Sequence, residues 1–453
     1  MNLSPTEQDD VRFQPNLAKA WFAVILLCLA QIISTIDRGM LALVVDPIRA
    51  ELGISDVQIA LLQGLAFSIF YVIAGIALGL VADVVNRKRL LIAGIVVWSA
   101  ATVASGVAET FGQMFAARLF IGIGEAVLAP CAVTIIADLF PVSRRGKPMA
   151  LYVFGSMIAF GVGSLVTGYI LAAAPQGAFD WIGFLENKAP WRIAFILAGI
   201  AGIILAAVFT MIDEPKRNDS KVIVRQTNDL RDSLQAMLAN WKLYLPVYAT
   251  LAFFGMGISV VINWSPMLLT RVFEYKIEDV SKMLGMAHII WAAIGALTAG
   301  FVVDRAVKRW GSAGLIYLAS MVSLLAIPST LAIFTNNGLF AIILLSEVTF
   351  ASALFGSAML SAIAEISPKR TRGLSVAFYA FSMTLIGAST GPLLVAFITE
   401  YLFASEQAVG LSIAIVGSVA FGGAALLAFV SGSKLVAITA DSVRIHATRP
   451  AAT

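Results

Sequence analysis

Charge is scarce in this chain. Charged side chains make up 13% of its 453 residues, against roughly 25% in a soluble protein. Hydrophobic residues reach 59% and the mean hydropathy is +0.90. The deficit runs along the whole length, which leaves membrane embedding as the class. Cysteine is nearly absent as well. Cys28 and Cys131 both fall inside apolar runs, where a thiol packs as a small hydrophobe, so no disulfide framework is expected. Two histidines, His288 and His446, argue against a histidine metal site, and neither a metal nor another cofactor is expected. The sequence has no Gly-x-x-x-x-Gly-Lys-[Ser/Thr] loop and no His-Glu-x-x-His pair. Those absences speak against ATP-driven transport and against an enzyme. No cleavable leader is expected, because the first apolar run begins near Trp21 after a polar lead and is too long for a signal core.

What the chain does have is long apolar runs. A membrane-crossing helix takes about 20 mostly apolar residues. The runs predict helices at 19–48, 57–82, 89–108, 112–139, 147–173, 191–212, 243–271, 280–303, 313–334, 338–365, 374–402 and 409–432. The expected fold class is an all-α membrane protein with 12 transmembrane helices. Tails at 1–18 and 433–453 and a linker at 213–242 are polar. Basic residues gather in alternate loops: Arg87, Lys88 and Arg89; Arg144, Arg145 and Lys147; Arg305, Lys308 and Arg309; Lys369, Arg370 and Arg372. The linker carries Lys216, Arg217, Lys221, Arg225 and Arg231. By the positive-inside rule, both termini and the linker are expected to be cytoplasmic, in the plasma membrane (a bacterial inner membrane). The net charge of +4 therefore reflects topology, and no nucleic-acid partner is expected.

The chain also repeats itself. Asp138-Leu-Phe-Pro-Val-Ser-Arg-Arg-Gly146 matches Glu365-Ile-Ser-Pro-Lys-Arg-Thr-Arg-Gly373, with acid, proline, arginine and glycine at the same offsets. Gly79-x-x-x-Asp83-x-x-x-Arg87 matches Gly300-x-x-x-Asp304-x-x-x-Lys308. Two parallel six-helix halves, 19–212 and 243–432, account for this. Such repeats place a binding site between the halves near the bilayer midplane.

Two carboxylates stand inside predicted spans. Asp37 lies in the first, beside Arg38, and Glu125 lies in the fourth, after Arg118 on the same helix face. Charge in a bilayer core costs a few kcal/mol or more and marks ion or substrate paths. Helical rise puts Asp37 and Glu125 at similar depth, each roughly 22–25 Å from the cytoplasmic end of its helix. Burial disfavours a charged carboxylate and a nearby guanidinium favours it. A movement that changes hydration or shifts the arginine would therefore switch proton affinity. Asp37 and Glu125 are the expected proton-coupling pair. Arg38 and Arg118, permanently charged and able to bond in pairs, suit an anionic headgroup. In the second half, Glu347 in the tenth span is a further candidate carboxylate. Asn263 and Trp264, just ahead of Pro266, sit where a break in the seventh span is expected to face substrate.

The loop Gly79 to Arg89 resembles the Gly-x-x-x-Asp-x-x-x-Arg-[Lys/Arg] signature of the major facilitator superfamily, departing from it at Val84 and Asn86. Asp37-Arg38, Asn86 and Arg118-x-x-x-Gly122-x-Gly124-Glu125-Ala126 narrow the likeness to its spinster family. That resemblance implies two pseudo-symmetric six-helix bundles and alternating access. It also implies a latch in which Asp83, four residues before Arg87, pairs with cytoplasmic basic residues such as Arg145, with Arg87, Asp138, Asp304, Glu365 and Arg372 in the related gating set. The family is implicated in moving lysolipids and sphingosine-1-phosphate. The expected activity is thus proton-coupled transport of an amphiphilic, lipid-like molecule by a monomer in contact with membrane lipids. A facilitator or antiporter of small organic anions or drugs, and an uncoupled lipid scramblase, are the alternatives.

Overall fold

The computed structural model describes residues 17–82, 84–215, 235, 237–311, 313–367 and 372–447, the side chains of Leu80, Val142, Leu243, Arg372 and of 436–447 excepted. Among them every regular element is helical. Twelve helices are long and apolar enough to cross a membrane. The first half contributes α1 (Leu17–Leu43), α2 (Val45–Leu52), α3 (Asp56–Gln63), α4 (Leu65–Ala82), α5 (Arg87–Val107), α6 (Phe111–Glu125), α7 (Leu128–Leu139), α8 (Gly146–Ala173) and α9 (Pro190–Phe209). The second contributes α10 (Trp241–Arg271), α11 (Ile277–Trp310), α12 (Ala313–Leu325), α13 (Ile327–Thr330), α14 (Gly338–Ile366), α15 (Arg372–Ala380), α16 (Ser389–Phe397) and α17 (Val409–Ala447). The last helix runs well past the expected end at 432.

Local chemistry sets several starts. Ser55 accepts from the Gln58 amide while the Gln58 side chain returns to the Ser55 amide, a reciprocal cap on α3. Asn86 and Thr110 cap α5 and α6 through their side-chain oxygens. Proline explains two interruptions. Pro130 has no N–H to offer the Ala126 carbonyl, and the fourth span parts into α6 and α7 at Ala126–Val127. Pro328 follows the gap between α12 and α13 in the same way. Two further irregularities lie in the eleventh span, where π-helical turns at Phe381–Ala388 and Ile398–Leu402 flank α16. The expected break at Pro266 is absent, since α10 continues through it from Trp241 to Arg271. A membrane helix tolerates the lost hydrogen bond when neighbouring helices cover the gap, and Trp264 and Ser265 beside it are buried.

Two compact units emerge. One holds the described residues of Met1–Ile223, Asn263–Ile290 and Thr399–Gln407; the other holds those of Val224–Ile262, Trp291–Ile398 and Ala408–Thr453. In the first unit α1 packs along α8 and α9, α5 along α6 and α9, and α4 along α6. Its core gathers Leu27, Ile95, Trp98, Ile121, Cys131, Ile136 and Phe209. In the second, α12 packs on α14 and α17, and Phe254 stacks on Phe355 with Phe421 edge-on.

Candidate functional site

Gly122 and Gly124 bring α6 into place. A Cβ on Gly122 would stand 2.5 Å from the Phe67 carbonyl oxygen of α4. One on Gly124 would stand 2.7 Å from the Trp98 nitrogen of α5. Both are closer than real atoms approach, so bare backbone is what lets three helices meet here, as small residues do in membranes. Glu125 follows directly as the last residue of α6, at the break enforced by Pro130.

Two cross-paired ion bridges result. Arg118 Nη1 donates to Asp37 Oδ2 at 2.7 Å, with side-chain exposures of 2% and 3%. Arg38 Nε lies 3.3 Å from Glu125 Oε2, with exposures of 37% and 1%. The first pair is dry at both ends; the second has one wet end. Arg38 also lies over the Phe67 ring at 5.1 Å, and Arg118 lies over Phe195 at 5.2 Å, so each guanidinium rests on an aromatic face. Arg38 Nη2 donates to the Ser34 hydroxyl at 3.4 Å. Several atoms of the cluster keep unused capacity. Asp37 Oδ1, both Glu125 oxygens, and Arg118 Nε and Nη2 are shielded from solvent and make no hydrogen bond among the described residues. Chemically, the cluster can hold or release a proton and can offer a guanidinium to an anion.

The other sequence candidates fall in three places. Glu347 is half-buried on α14 in the second unit, with both carboxylate oxygens shielded and making no hydrogen bond among the described residues. Asn263 and Trp264 belong to the first unit, and Trp264 is fully buried. Of the latch set, Arg87 donates to Asp138 Oδ2 at 2.5 Å and to Glu214 Oε1 at 3.0 Å. Glu214 also accepts from the Lys88 amide at 2.7 Å, so its carboxylate caps the amino end of α5. Arg145 turns back on its own loop and donates to the Phe140 carbonyl at 2.8 Å. Asp83, its expected partner, and the Arg372 side chain lie outside the described residues. Asp304 and Glu365 line one open pocket together with Lys308.

Glu214 was missing from the sequence reading because it stands at the edge of a linker read as topology. A second cluster went unread altogether. Arg271, the last residue of α10, donates to both Asp46 and Asp56, the latter at 2.9 Å. Arg49 reaches Asp56 at 3.1 Å and Glu406 at 2.9 Å. Glu400 accepts from the Val57 amide at 3.2 Å. Asp56 is only 3% exposed. All of these residues belong to the first unit. The signal is present in Asp46-Pro-Ile-Arg49 and Asp56, but the first predicted span, 19–48, absorbs Asp46 and leaves Arg49 and Asp56 in the short segment before the second.

Membrane-length helices around buried, partly unsatisfied ion pairs define an integral membrane transporter. Residues 27–392 match the Major Facilitator Superfamily, and the chain belongs to that superfamily. Over 395 residues it is 25% identical to an MFS-type efflux pump of Mycolicibacterium smegmatis, covering 85% of each chain. It is 30% identical over 302 residues to a probable L-galactonate transporter of Escherichia coli, covering 63% of this chain and 62% of that one, less than two thirds of the relative's length. It is 26% identical over 409 residues to the sphingosine-1-phosphate transporter SPNS2 of Mus musculus, covering 84% of this chain and 70% of that one. Among solved structures, a bacterial homologue of the human lysosomal transporter spinster, inward-facing and unoccupied, superimposes with a TM-score of 0.72 at 22% identity, over 92% of this chain and 96% of that one. That likeness establishes the fold.

Proposed function

We propose that the chain is a proton-coupled secondary transporter of an amphiphilic, lipid-like substrate of the lysolipid or sphingoid phosphate type, working by alternating access. The observation that carries the reading is the asymmetry of the two ion pairs. Asp37–Arg118 is sealed, whereas Glu125 is sealed but its partner Arg38 is 37% exposed. Protonation of Glu125 releases Arg38, and an anionic headgroup approaching from the open side meets that same guanidinium. Asp37 pairs with Arg118 at 2.7 Å and belongs to the coupling pair. Glu347, Asn263 and Trp264 contribute to substrate contact, and Arg87, Asp138, Arg145, Asp83, Asp304, Glu365 and Arg372 to gating from a cytoplasmic face that carries both termini. The lipid class is supported by the likeness to SPNS2 over most of the chain. A second reading, transport of small polar anions, is favoured by the L-galactonate relative at 30% identity.

Substrate-dependent proton flux in proteoliposomes tests both. The panel holds lysophospholipids, sphingosine-1-phosphate and L-galactonate, with the native chain, Glu125→Gln and Asp37→Asn. Proton flux driven by a lipid and lost in Glu125→Gln is the expected result. Flux driven by L-galactonate alone selects the second reading. Lipid movement without proton flux, equal in all three proteins, overturns coupling and leaves a uniporter or scramblase.

A further inference from the structure

Residues 174–189 join α8 to α9, at the end of α8 away from the basic loop of Arg144, Arg145 and Lys147. This strap is built from tight turns. The amides of Asp180, Ile182, Leu185 and Lys188 each donate to the carbonyl three residues back, at 3.2, 3.0, 2.7 and 3.1 Å. Left-handed residues bracket them, Gly177 at φ 75° and Asn187 at φ 62°. Three-residue turns stack the side chains at i and i+3 on one edge, so the strap has three edges. Phe179, Ile182 and Leu185 form the first. Leu185 is fully buried and the other two are half-buried, so this edge rests on the protein. Asp180, Gly183 and Glu186 form the second, which is exposed and acidic. Ala178, Trp181 and Phe184 form the third, which is exposed and apolar: Trp181 is 81% exposed and Phe184 57%. Beyond the strap the chain is clamped. Trp191 Nε1 and Arg192 Nε, in the first turn of α9, donate to the two carboxylate oxygens of Glu51 at 2.6 and 2.7 Å.

We propose that the third edge is a membrane anchor, with Trp181 and Phe184 seated at the boundary between lipid headgroups and acyl chains, in the leaflet opposite the basic loops. Four observations carry it. The strap joins two membrane-crossing helices directly, so it is confined to the membrane surface. Its exposed edge is aromatic, and aromatic rings concentrate at that boundary. Tyr169, near the same end of α8, is also 66% exposed and belongs to the same belt. The turns satisfy much of their own backbone hydrogen bonding, which a segment entering a water-poor layer needs. The charge selects the lipid. The strap carries Asp180 and Glu186 against Lys188 alone, so it lacks the basic cluster that holds anionic headgroups, and the partner is a zwitterionic lipid surface. The anchor bears on the moving parts, because α1 packs along both α8 and α9. Fixing the depth of that pair gives α1 a wall of constant height to move against.

The test needs no transported substrate. Trp181→Cys, Phe184→Cys and Glu186→Cys are made one at a time in the full-length chain carrying Cys28→Ala and Cys131→Ala. Each is labelled with an environment-sensitive fluorophore in phosphatidylcholine vesicles. Quenching by phosphatidylcholine with a nitroxide near the carbonyl end of its acyl chain is compared with quenching by iodide in the water. An interfacial apolar face sits roughly 5–10 Å into the headgroup boundary, so the labels at 181 and 184 are expected to be quenched about threefold more by the lipid nitroxide than the label at 186. The label at 186 is expected to be the one that iodide reaches. The two apolar positions give independent readings, so a variant that fails to fold leaves the other to decide. Equal iodide quenching at all three positions places the strap in water and overturns the anchor. Labels at 181 and 184 that neither quencher reaches, with Trp181→Cys chains cross-linking in pairs, also overturn it, because the edge then covers a second copy of this chain.

Discussion

Arg118 holds Asp37 across two helices at 2.7 Å, and neither side chain exceeds 3% exposure. Removing one member of such a pair strands a charge in a dry interior, at a cost of about 3–5 kcal/mol. Arg118→Gln is expected to lower the melting temperature sharply in detergent. The double variant Arg118→Gln/Asp37→Asn is expected to recover much of the loss, because it removes both charges. A double variant no better than the single one would show that packing of the arginine over Phe195 matters more than its charge.

Glu125→Gln is expected to behave differently. Its partner Arg38 stays partly hydrated, so breaking the pair changes stability by about 1 kcal/mol or less. Thermal melts of the native and Glu125→Gln proteins should nearly coincide while proton flux disappears. A large loss of stability would place Glu125 with Arg118 and Asp37 as a structural pin.

Gly122→Ala puts a methyl 2.5 Å from a backbone oxygen that cannot move aside without its helix. Overpacking of this kind costs about 1–3 kcal/mol. Gly112→Ala, earlier in the same helix with nothing within 4 Å of the added carbon, should fall within about 0.5 kcal/mol of native. Comparing the two melts separates close helix approach from the general effect of losing glycine.

Glu214 joins Arg87 to the first amides of α5. Glu214→Ala should cost about 1–2 kcal/mol, as loss of a helix cap does. It should also speed hydrogen exchange at the Arg87 and Lys88 amides, measured by mass spectrometry. Glu214→Gln keeps acceptor geometry without the charge and should fall between.

Arg271 serves two acids at once, and Asp56 is almost fully buried. Arg49 stays on Asp56 at 3.1 Å when Arg271 is lost, so Arg271→Gln is expected to destabilise by about 1–3 kcal/mol. Arg49→Gln in the same chain strands Asp56 and should cost more than the two single losses added; simple additivity would show that Asp56 depends on neither arginine.

Most of the fold could be read from one dimension. Membrane spans depend on length and hydropathy alone, and those are sequence properties; the starts at Arg87, Phe111 and Gly338 lie within two residues of expectation. Breaks were harder, because proline has opposite outcomes in two spans. At Pro130 the helix parts, while at Pro266 it runs on, and the difference lies in what packs alongside. The cluster of Asp37, Arg38, Arg118 and Glu125 was legible because charge in an apolar run has few explanations. Its cross-pairing was not, since which arginine meets which acid depends on helix rotation. The Arg271 network needed contacts between segments more than 200 residues apart in sequence, among them Asp46 and Arg271, separated by 225, and no local pattern encodes those.

One consequence concerns how α1 is joined to α6. Broad packing ties α1 to α8 and α9, and ties α6 to α4 and α5. Between α1 and α6 themselves the prominent links are two salt bridges, Asp37–Arg118 and Arg38–Glu125. On the proposed coupling, a single hydrogen ion on Glu125 would undo one of two fasteners in a joint made of charge. Chemistry at one carboxyl oxygen would then become slack between helices.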